Sequence, residues 1–301
     1  MQRKSMNILK KMIPDRLREK ILEFNWNMSV KRRLTKLYFR LMFSSMRGNL
    51  KDYKKEIHYI AKHGISMFPY SFSRKYADFE SEVTFDHKEE KYYALHRGKK
   101  LYFPKGMSEE EVKGAYKQLV MEQEAASPHR YWSDLNRPEK GDTFIDVGAA
   151  EGIIALELID IVDRVILVEC EDAWKSALEA TFALYRDKVE IVSAYCCEKV
   201  EGESKTTIDH IAGSITNPVI KMDIEGAEID ALKGAKQTLL RKDAKWAICT
   251  YHTKTDAENI ESILKQMHMK YEYSDGYLLL PYDLKYSPPY FRRGVLRAKR
   301  Q

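Results

Sequence analysis

Along the first fifty positions, apolar residues recur every three to five places, at Ile8, Met12, Leu17, Ile21 and Phe24. That period predicts a helical segment over 1–48. Pro14 suits a helix's first turn better than its interior, so the helix should begin there. From about Asp78 the period shortens: Val83 and Phe85, then Tyr92 to Leu95, then Leu101 to Phe103 read as short strands. Arg97-Gly98 supplies a hairpin turn between the last two. Ser108 with Glu111 three residues on has the form of a capping box, opening a helix that should run to about Glu124. Ser127-Pro128 and Lys140-Gly141-Asp142 then break the chain.

Beyond that break, strand and helix patterns alternate. Apolar, strand-like runs fall at 143–147, 165–169, 189–192, 219–222 and 246–251, and helical ones at 153–159, 173–185, 227–240 and 257–267. Such an order predicts an α/β fold with a doubly wound, mostly parallel sheet and helices on both faces. The runs 276–280 and 293–298 are candidates for a closing antiparallel strand. The expected organisation is a basic helical segment (1–48), a small α+β region (49–125) and a ligand-binding α/β domain (126–301).

The charge is distributed unevenly. Residues 1–50 hold thirteen Lys or Arg against Asp15, Glu19 and Glu23, a local balance of +10 within a chain of +6, so the rest sums to −4. A basic character confined to one segment argues for a local surface role rather than a nucleic-acid-coating protein. Arg32, Arg33, Lys36 and Arg40 flank Leu37, Phe39, Met42 and Phe43, the mixture found in helices that lie on anionic membranes. A helical hairpin with a solvated basic face is the alternative. Lys10, Lys11, Arg16 and Arg18 interrupt any signal-peptide core, which predicts a cytoplasmic protein, with peripheral contact at the inner membrane face. Cys170, Cys196, Cys197 and Cys249 form no C-x-x-C pair and are expected to be buried, reduced thiols.

Candidate chemistry concentrates at the first strand-to-helix turn of the alternating region, where ligands collect in such folds. The sequence Phe144-Ile145-Asp146-Val147-Gly148-Ala149-Ala150-Glu151-Gly152 has D-x-G-x-x-x-G in place of the dinucleotide fingerprint G-x-G-x-x-G. An acid at the strand's end suits a cationic or amine-bearing ligand better than a pyrophosphate. Gly148 permits the tight turn, and Gly152 lets the next helix start against the sheet. Twenty-three residues after Asp146, Glu169 closes the second strand and can accept the two hydroxyls of a ribose.

The segment 146–152 resembles motif I of class I methyltransferases. The stretch Ile220-Lys221-Met222-Asp223-Ile224-Glu225-Gly226-Ala227-Glu228, with Leu232-Lys233-Gly234-Ala235 after it, resembles the hallmark of the FkbM-type methyltransferase family. Ser127-Pro128-His129-Arg130-Tyr131 and Ile248-Cys249-Thr250-Tyr251-His252 are similar to members from bacterial surface-polysaccharide clusters. The resemblance covers roughly 120–298. It implies a Rossmann-like fold, S-adenosyl-L-methionine as cofactor, and O-methylation of a sugar hydroxyl in a cell-surface glycan or its precursor. It also implies that Asp146, Gly148, Ala149 and Gly152 hold the methionine part, that Glu169 holds the ribose, and that Asp172, Ala173 and Trp174 line the adenine.

Methyl transfer from a sulfonium requires in-line positioning of the acceptor and a base for its proton. His252, at the end of the fifth strand, is the candidate base, with Asp223 and Glu225 orienting acceptor hydroxyls. Related macrolide-sugar methyltransferases use Mg²⁺, but D-x-E-x-x-E spacing should turn Glu228 to a different face from Asp223, so no metal is assigned. Ser287-Pro288-Pro289-Tyr290 matches a signature of base-modifying amino-methyltransferases, yet it lies more than sixty residues beyond the fourth strand, where those enzymes carry it. An RNA or DNA methyltransferase and a non-catalytic scaffold of a glycan-assembly complex are the competing readings. Tyr92, Tyr93, Tyr102 and Phe103 could stack on sugars, though core packing is the simpler role.

Overall fold

The computed structural model describes residues 15–280, 288 and 290–301, with side chains from residue 29 onward. Two compact units result, one comprising residues 15–69 with 280 and 288, the other residues 70–279 with 290–301. In the first, helix α1 (Asp15–Met46) and helix α2 (Lys54–His63) contact each other. Leu37 and Leu41, one turn apart, are buried, as are Ile57 and Ile60. Phe39 (65% exposed) and Phe43 (54%) face outward, so the apolar residues near the basic cluster divide between two faces of α1. Among the described residues no helix is long and apolar enough to cross a membrane.

The second unit opens with a three-stranded antiparallel sheet, β1 (Val83–Asp86), β2 (Lys91–His96) and β3 (Lys99–Tyr102). Arg97 (φ 50°) and Gly98 (φ 79°) form the turn between β2 and β3, a pair of left-handed residues that matches the strands' own twist. Tyr102 and Phe103 are buried, while Tyr92 and Tyr93 are half-buried, and the Lys100 ammonium stands 4.4 Å from the Tyr93 ring centre. Helix α3 (Glu109–Glu122) starts at the expected capping box: Ser108 accepts from the Glu111 amide, and Glu111 accepts from the Ser108 amide. It ends two residues earlier than its apolar pattern suggests.

Strand β4 (Thr143–Val147), helix α4 (Ile153–Leu158), β5 (Arg164–Val168), helix α5 (Asp172–Thr181) and β6 (Val189–Val192) follow in strict alternation. A small parallel pair, β7 (Tyr195–Cys196) and β8 (Lys205–Thr206), precedes helix α6 (Ile208–Ala212), β9 (Pro218–Met222), helix α7 (Glu228–Lys233), β10 (Lys245–Cys249) and helix α8 (Asp256–Gln266). The chain closes with β11 (Met269–Tyr273), β12 (Leu278–Leu279), β13 (Phe291–Arg292) and β14 (Val295–Arg300). The seven-stranded sheet has the order β11-β14-β10-β9-β4-β5-β6, parallel from β6 to β10 and antiparallel at β14. The doubly wound, mostly parallel architecture is therefore present, with apolar clusters packed on both faces of the sheet.

Three elements differ from their sequence patterns. The closing antiparallel strand is β14, but its partner on the edge is β11, and 276–280 contributes only the short ladder to β13. Met269, Tyr271 and Tyr273 face inward on β11 with Lys270 and Glu272 between them, a period-two pattern hidden by its charged half. The run 227–240 breaks after Lys233 and resumes as a single turn at Thr238–Leu240. Gly234 lies so close to the Cys197 carbonyl that a Cβ there would come within 2.2 Å of its oxygen, so tertiary packing ends that helix. Cys170 is exposed, at the open end of β5 where the chain turns outward, whereas Cys196, Cys197 and Cys249 are buried.

Candidate active site

The strand order reverses direction at β4, with β5 on one side and β9 on the other. Loops at the carboxyl ends of such strands diverge and leave a crevice. The β4 loop is strapped to β5 by amides of Gly148 and Ala149, which both donate to the Val168 carbonyl at 2.9 and 3.2 Å. Gly148 has φ 77°, and a Cβ there would stand 2.0 Å from the Asp223 carbonyl oxygen. Its lack of a side chain thus serves the junction between the β4 and β9 loops. Gly152 (φ 75°) opens α4, and its missing side chain leaves room for Leu178 and Phe182.

Glu169 joins the two halves of the crevice floor. One carboxylate oxygen accepts from the Ala150 amide at 2.9 Å and the other from the Glu171 amide at 2.8 Å. Each oxygen retains a second lone pair for a ligand hydroxyl. Ala150 (φ 46°) and Glu225 (φ 55°) both hold left-handed conformations uncommon for residues with side chains, one on each facing loop.

Asp223 is the centre of the polar network. Its carboxylate accepts from the Tyr131 hydroxyl at 2.9 Å and the Tyr251 hydroxyl at 3.1 Å, and His252 Nε2 stands 3.1 Å away. Burial alone would raise its pKa, but the His252 contact and the positive charge of Lys221 outweigh burial and hold it well below the usual carboxylate range. On the other side of the ring, His252 Nδ1 lies 2.8 Å from Glu228, which is fully buried and also accepts from the Ile224 amide. Burial pulls the imidazole pKa down, yet contacts with Asp223 and Glu228 overcome it and raise the value to about 10. His252 is therefore an imidazolium clamped between two carboxylates at neutral pH.

This clamp corrects the expected geometry of the acidic cluster. Glu228 and Asp223 face the same ring from opposite edges, rather than lying on unrelated faces. Asp223, Glu228 and His252 offer metal-ligand atoms close together, as do His129, Asp223 and Cys249. In the first group His252 Nε2 lies 3.1 Å from Asp223 and Nδ1 2.8 Å from Glu228, ion-pair distances at which neither ring nitrogen is aligned for a hydrogen bond. In the second, burial keeps the Cys249 thiol protonated, and His129 Nε2 shares a hydrogen bond with the Tyr251 hydroxyl at 2.9 Å. Burial lowers His129 to about 4, so that imidazole is neutral.

Asp146 also departs from its expected setting. It is buried within β4 and ion-pairs with Lys221 Nζ at 2.8 Å, while Lys221 also donates to the Gly148 carbonyl at 2.7 Å. Lys221 is a lysine in the otherwise apolar Pro218–Met222, a mismatch that marks it in the sequence as a paired charge.

Two cavities meet here. The first, of about 360 Å³, is lined by Gly148, Ala150, Glu169, Glu171, Trp174 and Tyr195, among others. The second, of about 120 Å³, is lined by Tyr131, Asp146, Ala149, Glu151, Lys221 and, from α3, Glu122. Gly148, Ala150, Asp223 and Glu225 line both. Glu225 extends to solvent with its side chain 93% exposed, and Gly152 and His252 stand behind the lining. Asp172 is exposed in the first turn of α5 and, with Ala173, takes no part in the larger cavity, where Glu171 and Trp174 stand instead. Burial raises the carboxyl pKa of Glu151 to about 7 and that of Glu122 to about 8. Neither glutamate closes a strand as Glu169 and Asp223 do, so neither stands out along the sequence. Ser287 and Pro289 lie outside the described residues.

Residues 199–273 match a family model described as the methyltransferase FkbM domain. No curated protein matches the chain. Among solved structures, methyltransferase FkbM from Methylobacillus flagellatus KT aligns at 21% identity and a TM-score of 0.42, over 64% of this chain and 55% of that one. The chain thus spans about half the length of that protein. An rRNA methylase from Streptococcus thermophilus aligns at 16% identity and a TM-score of 0.38, over 57% and 94% of the two chains. TrmK of M. capricolum, in complex with S-adenosyl-homocysteine, aligns at 8% identity and a TM-score of 0.36, over 54% and 64%.

Proposed function

We propose that this chain is an FkbM-type class I methyltransferase that transfers a methyl group from S-adenosylmethionine to a sugar hydroxyl of a glycan or glycan precursor. The observation that carries this reading is the wall shared by the two cavities. A cofactor in the larger cavity and an acceptor in the smaller one would meet across Gly148, Ala150, Asp223 and Glu225. The larger cavity has a volume in the range of small-molecule sites. Its donor and acceptor set also fits the cofactor: Glu169 has lone pairs left for a ribose diol, and Trp174 offers an aromatic wall for a base. When bound, S-adenosylmethionine supplies an electrophilic methyl on a sulfonium.

In this reading the acceptor oxygen forms a bond to the methyl carbon as the sulfur–carbon bond breaks, and the hydroxyl proton must leave. Five carboxyl groups line the smaller cavity. Asp146 is held by Lys221, Asp223 is held ionised by two tyrosine hydroxyls and the nearby His252 ring, Glu225 extends to solvent, and Glu122 accepts from the Gln118 amide. Glu151 lines the same cavity at the start of α4, and burial raises its carboxyl to about 7 against the backbone amides it accepts from; we assign it as the base. His252, already protonated, keeps Asp223 and Glu228 in place. Asp223 then orients the Tyr131 hydroxyl, which lines the smaller cavity, and holds the Tyr251 hydroxyl behind it.

Incubation with methyl-labelled cofactor and fractionated lysate tests the reaction. The expected result is label in lipid-linked or polymeric glycan, stable to mild alkali as an ether. Label in nucleic acid would favour the competing enzyme, and no turnover would favour the scaffold. Phe39 and Phe43, outward on α1 near Arg32, Lys36 and Arg47, further support peripheral contact with an anionic membrane. Flotation with anionic vesicles, strong at low salt and weak at high salt, is the expected behaviour.

A further inference from the structure

We infer that a groove beside the acceptor cavity binds a second, negatively charged sugar unit of the acceptor, so that the substrate is an acidic oligosaccharide rather than a monosaccharide. The inference rests on the proposed sugar methylation. The groove, of about 470 Å³, adjoins the acceptor cavity: Leu119, Gln123 and Ile153 line both. In the proposed binding mode one ring of the acceptor occupies the cavity and the next lies in the groove.

The lining of the groove specifies what the second ring must offer. Phe79, Tyr116 and Trp132 contribute aromatic surface, of which Phe79 and Trp132 are half-buried and so retain exposed area. Aromatic faces accept the C–H side of a pyranose, burying apolar area without requiring a flat partner. Gln123 stands where groove and cavity adjoin, its side-chain amide donating to the His129 carbonyl at 3.2 Å and accepting from the Tyr131 amide at 3.3 Å, which leaves a lone pair on the amide oxygen for a hydroxyl.

The charges decide the sign of the ligand. Two carboxylates line the groove, and both already have partners. Glu157 is 2.9 Å from both Arg97 and His96, and Glu124 is 3.0 Å from Lys75 and accepts from the Tyr76 hydroxyl. Arg130 differs. Its guanidinium donates to the Gln123 carbonyl at 3.4 Å and, among the described residues, has no carboxylate within ion-pair distance. A guanidinium has five N–H donors in a planar fork that matches a carboxylate or a phosphate. The unpaired charge facing an aromatic groove thus calls for an anionic ring, either a uronate or a sugar phosphate.

Calorimetry with the full chain tests this with four probes: an acidic oligosaccharide containing uronate, a neutral one of equal length, a sugar phosphate, and an acyclic dicarboxylate. We expect the acidic oligosaccharide to bind roughly 10–100-fold more tightly than the neutral one, as one charge-assisted contact allows. Arg130→Gln should abolish that preference, and Arg130→Lys should retain part of it, which separates loss of charge from loss of fold. Tighter binding of the sugar phosphate would identify phosphate as the anion. Equal affinity for acidic and neutral chains, or equal binding of the acyclic dicarboxylate, overturns the groove assignment. A parallel labelled-methyl assay separates the two readings. Methyl transfer to glycans that Arg130→Gln leaves unchanged overturns the groove and leaves the reaction standing, whereas Arg130-dependent binding without transfer contradicts the reaction alone.

Discussion

Asp146 and Lys221 are register partners on the adjacent parallel strands β4 and β9, and their charges meet at 2.8 Å inside the sheet. Both side chains are almost fully buried. Removing one charge strands the other without water, which costs about 3–5 kcal/mol where such pairs have been broken. Asp146→Ala should therefore unfold at a clearly lower denaturant concentration, and Asp146→Ala with Lys221→Met should recover much of the loss. Identical midpoints for Asp146→Ala and wild type would show that the pair contributes nothing.

Gly148→Ala should be far more damaging than Gly98→Ala, although both positions have positive φ. A Cβ at Gly98 meets nothing within 4 Å, whereas at Gly148 it would stand 2.0 Å from the Asp223 backbone oxygen. Gly98→Ala should cost about 1–2 kcal/mol from its backbone conformation alone. Gly148→Ala must also push the β4 and β9 loops apart. Thermal melts of the two variants check this, and equal losses would refute the clash.

The His252 clamp predicts a specific dependence of stability on pH. Its folded pKa, about 10, exceeds the ordinary 6.5, so protonation is favoured by folding. That contribution is fully present below about 6.5 and is lost as pH rises through about 10. The stability gap between wild type and His252→Gln should accordingly be widest below about pH 6.5 and narrow steadily toward pH 10, as read by chemical denaturation at several pH values. A gap that widens with pH would contradict the clamp.

Glu151→Gln should reduce turnover by about 10²–10⁴ with cofactor affinity nearly unchanged, as loss of a general base does. Wild-type turnover should rise with pH through about 7, the value to which burial raises the Glu151 carboxyl. Glu225→Gln, on an exposed side chain, should act mainly on KM. Full activity in Glu151→Gln would move the base elsewhere on the cavity wall.

Much of this was legible along the chain because it depends on near neighbours. The Ser108–Glu111 box, the Arg97-Gly98 turn and the βα alternation are set within a few residues. The loops carrying Gly148 and Glu169 follow from the same pattern. What sequence could not supply is which strand ends meet. Lys221 reads as an oddity until β9 is seen beside β4, and only then does Asp146 become half of an ion pair as well as part of a cavity wall. His252 looks like a base by residue type. It becomes a charged clamp because the end of β10 falls between Asp223 and Glu228, and the summed effect of two carboxylates on one ring is a tertiary property. Asp172 has the right spacing, but the first turn of α5 carries it outward while Trp174 turns to the cavity.

The central claim is that the cavity floored by Glu169 holds the cofactor, and calorimetric titration with S-adenosylmethionine tests it most directly. Glu169 binds the Ala150 and Glu171 amides and would hold the ribose diol through charge-assisted bonds worth about 1.5–3 kcal/mol. Saturable binding by wild type, weakened about tenfold or more in Glu169→Gln at unchanged stoichiometry, is the predicted result. No binding by wild type, or equal affinity in the two proteins, would contradict it.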